Sequence, residues 1–221
     1  QEAGPALLAV GDQRGLNHLT SGHGSSLMER ALIDGLGKAL GQSYHTLLKN
    51  NALGVDLGRL HPELRGVAPS QCIAPQPLDT LHIRHTVGLA DPIRSADIPP
   101  GEGLADGLPQ SLEEYLQAQR LSYFKIKVNG RLEADLERLA DIAALLDSTG
   151  TPYYLSLDGN EQYREMESFL ELVRRIEADP SLARFWASTL YIEQPLERSL
   201  ALEPSLAAGI RATSARKPLL I

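Results

Sequence analysis

The sequence predicts an α/β protein whose larger part is a parallel (β/α) barrel, with the first half of that barrel present. Three observations predict it. Strand and helix patterns alternate regularly from about residue 78 onward. The central strand patterns each have one apolar and one polar face. Charged residues stand on those polar faces or at the strand ends, where parallel barrels carry their chemistry.

The elements follow in chain order. Residues 1–10 contain no clear opening element. Residues 25–40 predict a helix, because Leu27, Ala31, Ile33, Leu36 and Leu40 recur at helical spacing, with Ser25 or Ser26 as cap. Residues 44–53 predict a short helix. Pro62, Gly66, Pro69, Pro75 and Pro77 break residues 54–77 into connection. The division into domains is therefore 1–77 and 78–221. Leu81–Val87 predicts a strand, and the proline- and glycine-rich residues 91–109 a long loop. Ser111 and Glu114 have capping-box spacing before a helix to Gln119. Tyr123–Val128 predicts a strand. Arg131–Ser148 predicts an amphipathic helix with Leu132, Leu136, Leu139, Ile142, Ala143 and Leu146 on one stripe. Tyr153–Asp158 predicts a strand, Glu161–Ala178 a helix, Thr189–Glu193 a strand, 199–209 a helix, and Pro218–Ile221 a further strand.

This order gives βαβ units and a parallel sheet. Strand faces then separate a barrel from an open sheet. Lys125 and Lys127 oppose Phe124, Ile126 and Val128; Tyr154, Ser156 and Asp158 oppose Tyr153, Leu155 and Leu157; Thr189, Tyr191 and Glu193 oppose Leu190 and Ile192. An open sheet covered by helices on both sides would be apolar on both faces. A TIM-type barrel with a polar mouth fits better. The closing run Lys217–Ile221 enters like a buried strand and has no turn after it, so both ends read as cut.

Composition bounds the function. The chain of 221 residues is 43% hydrophobic and carries a net charge of −7. That balance argues against nucleic acid and against an anionic membrane surface. The single cysteine, Cys72, excludes an internal disulfide framework and favours a cytoplasmic setting; its expected role is a small buried or half-buried side chain. No apolar run approaches a membrane span, and Gln1–Val10 lacks the features of a signal peptide. A homo-oligomer is compatible with the sequence.

The chemistry concentrates in four residues. Two inward lysines on one strand, Lys125 and Lys127, repel each other, which lowers the pKa of one or both, and burial demands partners. Asp158 and Glu193 on the next two strands supply the opposite charge. Both are hard oxygen ligands suited to Mg²⁺ or Mn²⁺. Two protein carboxylates leave coordination positions for water and substrate. Singly, a Lys-x-Lys pair is usually a solvated face, and an Asp after a strand is often a helix N-cap. Three such features on three consecutive parallel strands make a stronger case.

Phe124-Lys125-Ile126-Lys127-Val128, Leu157-Asp158-Gly159-Asn160 and Tyr191-Ile192-Glu193-Gln194-Pro195 resemble successive barrel-strand motifs of the enolase superfamily. The nearest branch is the mandelate racemase and muconate lactonizing enzyme group, over roughly residues 78–221. The helix containing Ala31–Leu36 resembles that group's helix before the barrel, which makes 1–77 a remnant of an α+β capping domain. The resemblance implies that Lys127 is the general base for a proton α to a carboxylate. It implies that Lys125 contacts the substrate carboxylate and lowers the pKa of Lys127. It further implies Asp158 and Glu193 as metal ligands, Asn160 as an orienting neighbour, Mg²⁺ or Mn²⁺ as cofactor, and a small carboxylate-containing substrate. Racemisation or epimerisation, cycloisomerisation and dehydration share that first step. The group's third metal ligand and opposite acid or base would lie beyond Ile221. The interval from Asp158 to Glu193 is long, with an insertion expected near Asp179–Ala187.

Other readings compete. A non-catalytic barrel relative could act as a binding or assembly module. A Schiff-base enzyme could use Lys125 or Lys127 as nucleophile. Ser21–Ser26 reads as a loop, with a phosphate cradle as the sharper option; it lacks a P-loop lysine. His82 and His85 fall on opposite strand faces, and His82 shares its face with Arg84 and could approach the site. His18, His45 and His61 have no metal-ligand spacing.

Overall fold

A computed structural model describes residues 3–221; Gln1 and Glu2, the start of the predicted N-terminal segment, lie outside the described residues. The chain divides into two compact units, Gln1–Thr80 and Leu81–Ile221.

The first unit is helical. Helix α1 spans Ala3–Gln13, α2 His18–Leu40 and α3 Tyr44–Lys49, and three single 3₁₀ turns follow at Leu57–Arg59, Pro62–Leu64 and Pro69–Gln71. Helix α2 begins seven residues before the expected start at residue 25. Its cap is Asn17, whose side chain accepts from the Thr20 N–H at 2.8 Å, in place of Ser25 or Ser26. The segment Ser21–Ser26 is therefore helix and neither loop nor phosphate cradle. The Ser21 and Ser25 hydroxyls donate to the Asn17 and Gly22 carbonyls, each at 2.9 Å, which satisfies them inside the helix. An interior turn has its N–H groups engaged and cannot wrap an anion. Gly41, at φ +62°, ends α2 in the left-handed conformation that glycine tolerates. Cys72 is exposed, contrary to expectation, because it closes a 3₁₀ turn at the surface of this unit.

The second unit is a mixed α/β layer. Five parallel strands, β1 Arg84–Val87, β2 Tyr123–Lys127, β3 Tyr154–Asp158, β4 Thr189–Glu193 and β5 Leu219–Leu220, pair in sequence order. Helices α4 Leu112–Gln119, α5 Leu132–Ser148, α6 Met166–Ala178, α7 Ala183–Ser188 and α8 Ala207–Ser214 connect them. The core lies between the sheet and these helices. Phe124, Ile126, Leu155, Leu157 and Ile192 face it from the strands, and Leu139, Ile142, Leu146, Phe169, Leu172 and Ile176 face it from α5 and α6. All are fully buried. A side chain such as Phe124 contributes about 1.5–3 kcal/mol on burial, so this face holds the unit together.

Four elements depart from the sequence reading; the first is β1, which starts at Arg84 and not at Leu81, so His82 precedes the strand. Strand β4 carries a register shift: Leu155 pairs with Thr189, and Ser156 with Tyr191, leaving Leu190 as the extra residue of a bulge. Thr189 is therefore buried, donating to the Phe185 carbonyl at 3.0 Å, while Leu190 is exposed. Strict alternation had placed them the other way round. Helix α6 starts at Met166, because Asn160 and Glu161 adopt φ of +50° and +61° and turn the chain out of line. The helix expected at 199–209 appears as α8, after a 3₁₀ turn opened by Pro204. The segment near Asp179–Ala187, where the sequence reading expected an insertion, forms a 3₁₀ turn, Pro180–Leu182, and α7.

Candidate functional site

The sheet face turned away from the helices carries its polar side chains in three layers. Strand register defines them. The bottom layer is Arg84, Tyr123 and Tyr154; the middle layer is Thr86, Lys125, Ser156 and Tyr191; the top layer is Lys127, Asp158 and Glu193. Side chains two residues apart on a strand share a face, so each strand supplies every layer it reaches. The top layer coincides with the C-terminal ends of β2, β3 and β4.

Lys125 reaches up one layer. Its Nζ lies 2.7 Å from Asp158 Oδ2 and 2.9 Å from Glu193 Oε1. Asp158 is buried, and Glu193 and Lys125 are largely covered. Burial alone would lower the Lys125 pKa, yet the two carboxylates outweigh it, and the net direction is upward. For Lys125 the expected lysine–lysine repulsion is therefore not the deciding influence. Burial likewise pushes Glu193 up, but Lys125 and Arg84 hold its carboxyl below the ordinary range.

Lys127 takes a different partner. Its Nζ donates to Asn160 Oδ1 at 2.9 Å, and the Asn160 N–H donates to Asp158 Oδ1 at 2.7 Å. Asn160 thus links Lys127 to Asp158 through one residue. Its left-handed backbone lets both bonds form at once, and asparagine tolerates that conformation better than most residues. The four predicted residues and Asn160 consequently form one connected cluster.

Arg84 is the member that the sequence reading did not assign. It crosses from the bottom layer, and its Nη1 lies within hydrogen-bonding distance of Ser156 Oγ at 2.8 Å, the Tyr191 hydroxyl and Glu193 Oε2 at 3.1 Å, three acceptors that share its two N–H groups. Its guanidinium also lies over the Tyr191 ring. The available signal was a charged residue on the polar face of β1. The cluster then holds three basic side chains, Arg84, Lys125 and Lys127, and two carboxylates. His82 does not join it: its ring packs on Tyr123, four residues before Lys127 on β2. His85 lies against Tyr115 on the helix side. His18 pairs with Asp12, His45 with the Ala74 carbonyl, and His61 with Glu63.

Comparison of the chain with family models, with curated proteins and with solved structures finds no match.

The loops after β3 and β4 shape the rim. The Gly159 and Glu161 N–H groups donate to the Glu193 and Gln194 carbonyls at 2.9 Å each. Tyr163 and Leu196 continue the pairing, and Arg198 makes an ion pair with Glu161. Beside them a cleft of about 350 Å³ is lined by Glu161, Gln194, Leu196, Arg198, Leu202 and Ile221. On the other side, buried Asp135 accepts the Asn129 and Gly130 N–H groups at 2.9 Å each, fixing the turn just after Lys127.

Asp158 and Glu193 are hard oxygen donors, the ligand type that Mg²⁺ and Mn²⁺ take. The Lys125 ammonium shows that one cation can touch an oxygen of Asp158 and an oxygen of Glu193 together. Among the described residues no group of three His, Cys, Asp or Glu converges; Asp158 and Glu193 are the two carboxylates that meet here. Mg²⁺ is commonly held by one or two carboxylates, with waters and substrate oxygens completing its shell.

Proposed function

We propose that this second unit is the first five strands of a TIM-type barrel from a metal-dependent enzyme that removes a proton α to a carboxylate. The reaction class is that of the enolase superfamily: racemisation or epimerisation, cycloisomerisation, or dehydration. The observation that carries the reading is the top layer, where Lys127, Asp158 and Glu193 stand level on three adjacent parallel strands.

Each residue then has a role. Lys127, as the neutral amine, accepts the α-proton on Nζ. Asn160 holds that Nζ on the same side as the carboxylates. Lys125 meets the substrate carboxylate as a point charge. Asp158 and Glu193 would hold Mg²⁺ or Mn²⁺. When bound, that cation supplies positive charge beside the carboxylate on which negative charge grows. Arg84 keeps Glu193 turned into the site from below. The net charge of −7 and the single cysteine support a small-molecule enzyme of the cytoplasm over a nucleic-acid or membrane-surface protein. No helix among the described residues is long and apolar enough to cross a membrane.

One observation favours a second reading. Lys125 already pairs with both carboxylates and Arg84 pairs with Glu193, so each carboxylate has a cationic partner within the protein. A non-catalytic barrel relative, serving as a binding or assembly module, would need no more.

Hydrogen exchange separates the two. The full-length protein, given Mg²⁺ and a panel of α-substituted carboxylates in D₂O, should replace the α-proton of at least one with deuterium, read by proton NMR. Lys127→Ala should reduce that exchange by about 10²–10⁴-fold, the usual contribution of a general base. Exchange retained in the variant would overturn the assignment of the base. Absence of exchange across the panel, together with absence of metal binding, would favour the second reading.

A further inference from the structure

We propose that Lys125 is an internal counter-cation of this site, occupying the place between Asp158 and Glu193 until a divalent cation displaces it. The proposal rests on the reading of those two carboxylates as metal ligands.

The oxygen inventory carries it. Asp158 Oδ1 already accepts the Asn160 N–H, and Glu193 Oε2 already accepts from Arg84. The two oxygens that face each other, Asp158 Oδ2 and Glu193 Oε1, are both on Lys125 Nζ. A cation entering between the carboxylates from their facing oxygens would compete with Lys125 for that place. Mg²⁺ binds oxygen at about 2.0–2.1 Å, so it cannot share the gap with an ammonium at 2.7 and 2.9 Å. Like charges that close also repel strongly away from water.

The rest of the cluster tolerates the exchange. Arg84 is anchored on Ser156 and Tyr191 as well as on Glu193, so Glu193 keeps its orientation when Lys125 leaves. Asn160 does the same for Asp158. The flexible lysine stem is the part able to swing. Its release supplies the ammonium that a substrate carboxylate would meet. Metal binding therefore precedes productive substrate binding, and a substrate arriving first finds Lys125 engaged. Together with Arg84 on Glu193, the same pairing offsets the charge of the two carboxylates in the metal-free protein.

The test is the Mn²⁺ affinity of the full-length protein, measured from the electron paramagnetic resonance signal of the free ion. Lys125→Met should bind Mn²⁺ roughly tenfold tighter or more, the scale of one close charge pair. Lys125→Arg, which keeps the competing charge, should stay within about threefold of the unsubstituted protein. Equal or weaker binding in Lys125→Met would overturn the proposal while leaving Asp158 and Glu193 as ligands. Absence of binding in all three proteins would remove the metal site and the proposal with it. Should the Met variant fail to fold, the unsubstituted protein still decides. Acetylation of Lys125 by acetic anhydride, read by peptide mass spectrometry, should rise on addition of saturating Mg²⁺. Unchanged labelling would overturn the displacement.

Discussion

Arg84 and Lys125 approach Glu193 from different layers, and each takes a different oxygen of its carboxylate. This division fixes the carboxylate plane, which a single partner would leave free to rotate. Arg84 suits the task because its guanidinium is always charged and its long stem brings Nη1 within reach of Ser156, Tyr191 and Glu193. A shorter or neutral residue could not reach Ser156, Tyr191 and Glu193 together. Arg84→Met should cost about 1–2 kcal/mol, because hydrogen bonds to a charged group are lost while partial exposure of the side chain limits the loss. Urea unfolding of the full-length protein measures it, and an unshifted midpoint would show that Arg84 contributes no order to the cluster. Lys125, Lys127, Asp158 and Glu193 were legible because charge on the inward face of a buried strand is rare and therefore informative. Arg84 was harder to assign. Its reach depends on side-chain length across three strands, which spacing along one strand does not encode.

The elements position these residues by close packing at the strand ends. Gly159 shows how tight that packing is: a Cβ there would fall 2.4 Å from Pro195 Cα. The loops after β3 and β4 therefore run side by side only because residue 159 has no side chain. Gly159→Ala should cost about 1–3 kcal/mol, the scale of overpacking in a tight site, and should displace Asn160 from Lys127. Thermal denaturation reports the first effect; the second predicts weaker Mn²⁺ binding even at temperatures where the variant is folded. A variant of unchanged stability would mean that the loops separate easily. The strands and α5 were legible because their apolar periodicity is regular over several turns. The start of α2, the start of α6 and the side reversal at Thr189 and Leu190 were not. Each depends on a local event, namely an Asn cap, left-handed residues at Asn160 and Glu161, and a one-residue bulge. Such events change register without changing composition.

On the scale of the whole molecule, the second unit separates its two sheet faces by chemistry. Helices cover the apolar face with a continuous core, and the other face gathers the charges. Parallel order β1-β2-β3-β4-β5 brings the C-terminal ends of β2, β3 and β4 to one level, so residues 127, 158 and 193 meet although the chain separates them widely. The first unit is helical, with α1, α2 and α3 followed by three 3₁₀ turns. The central claim is that Asp158 and Glu193 together hold one divalent cation. Its most direct test is Mn²⁺ titration of the full-length protein beside the Asp158→Asn/Glu193→Gln double variant. A single Mn²⁺ bound by the unsubstituted protein, and lost in the folded double variant, is the predicted result. Equal Mn²⁺ binding by both proteins, or none by either, would contradict it.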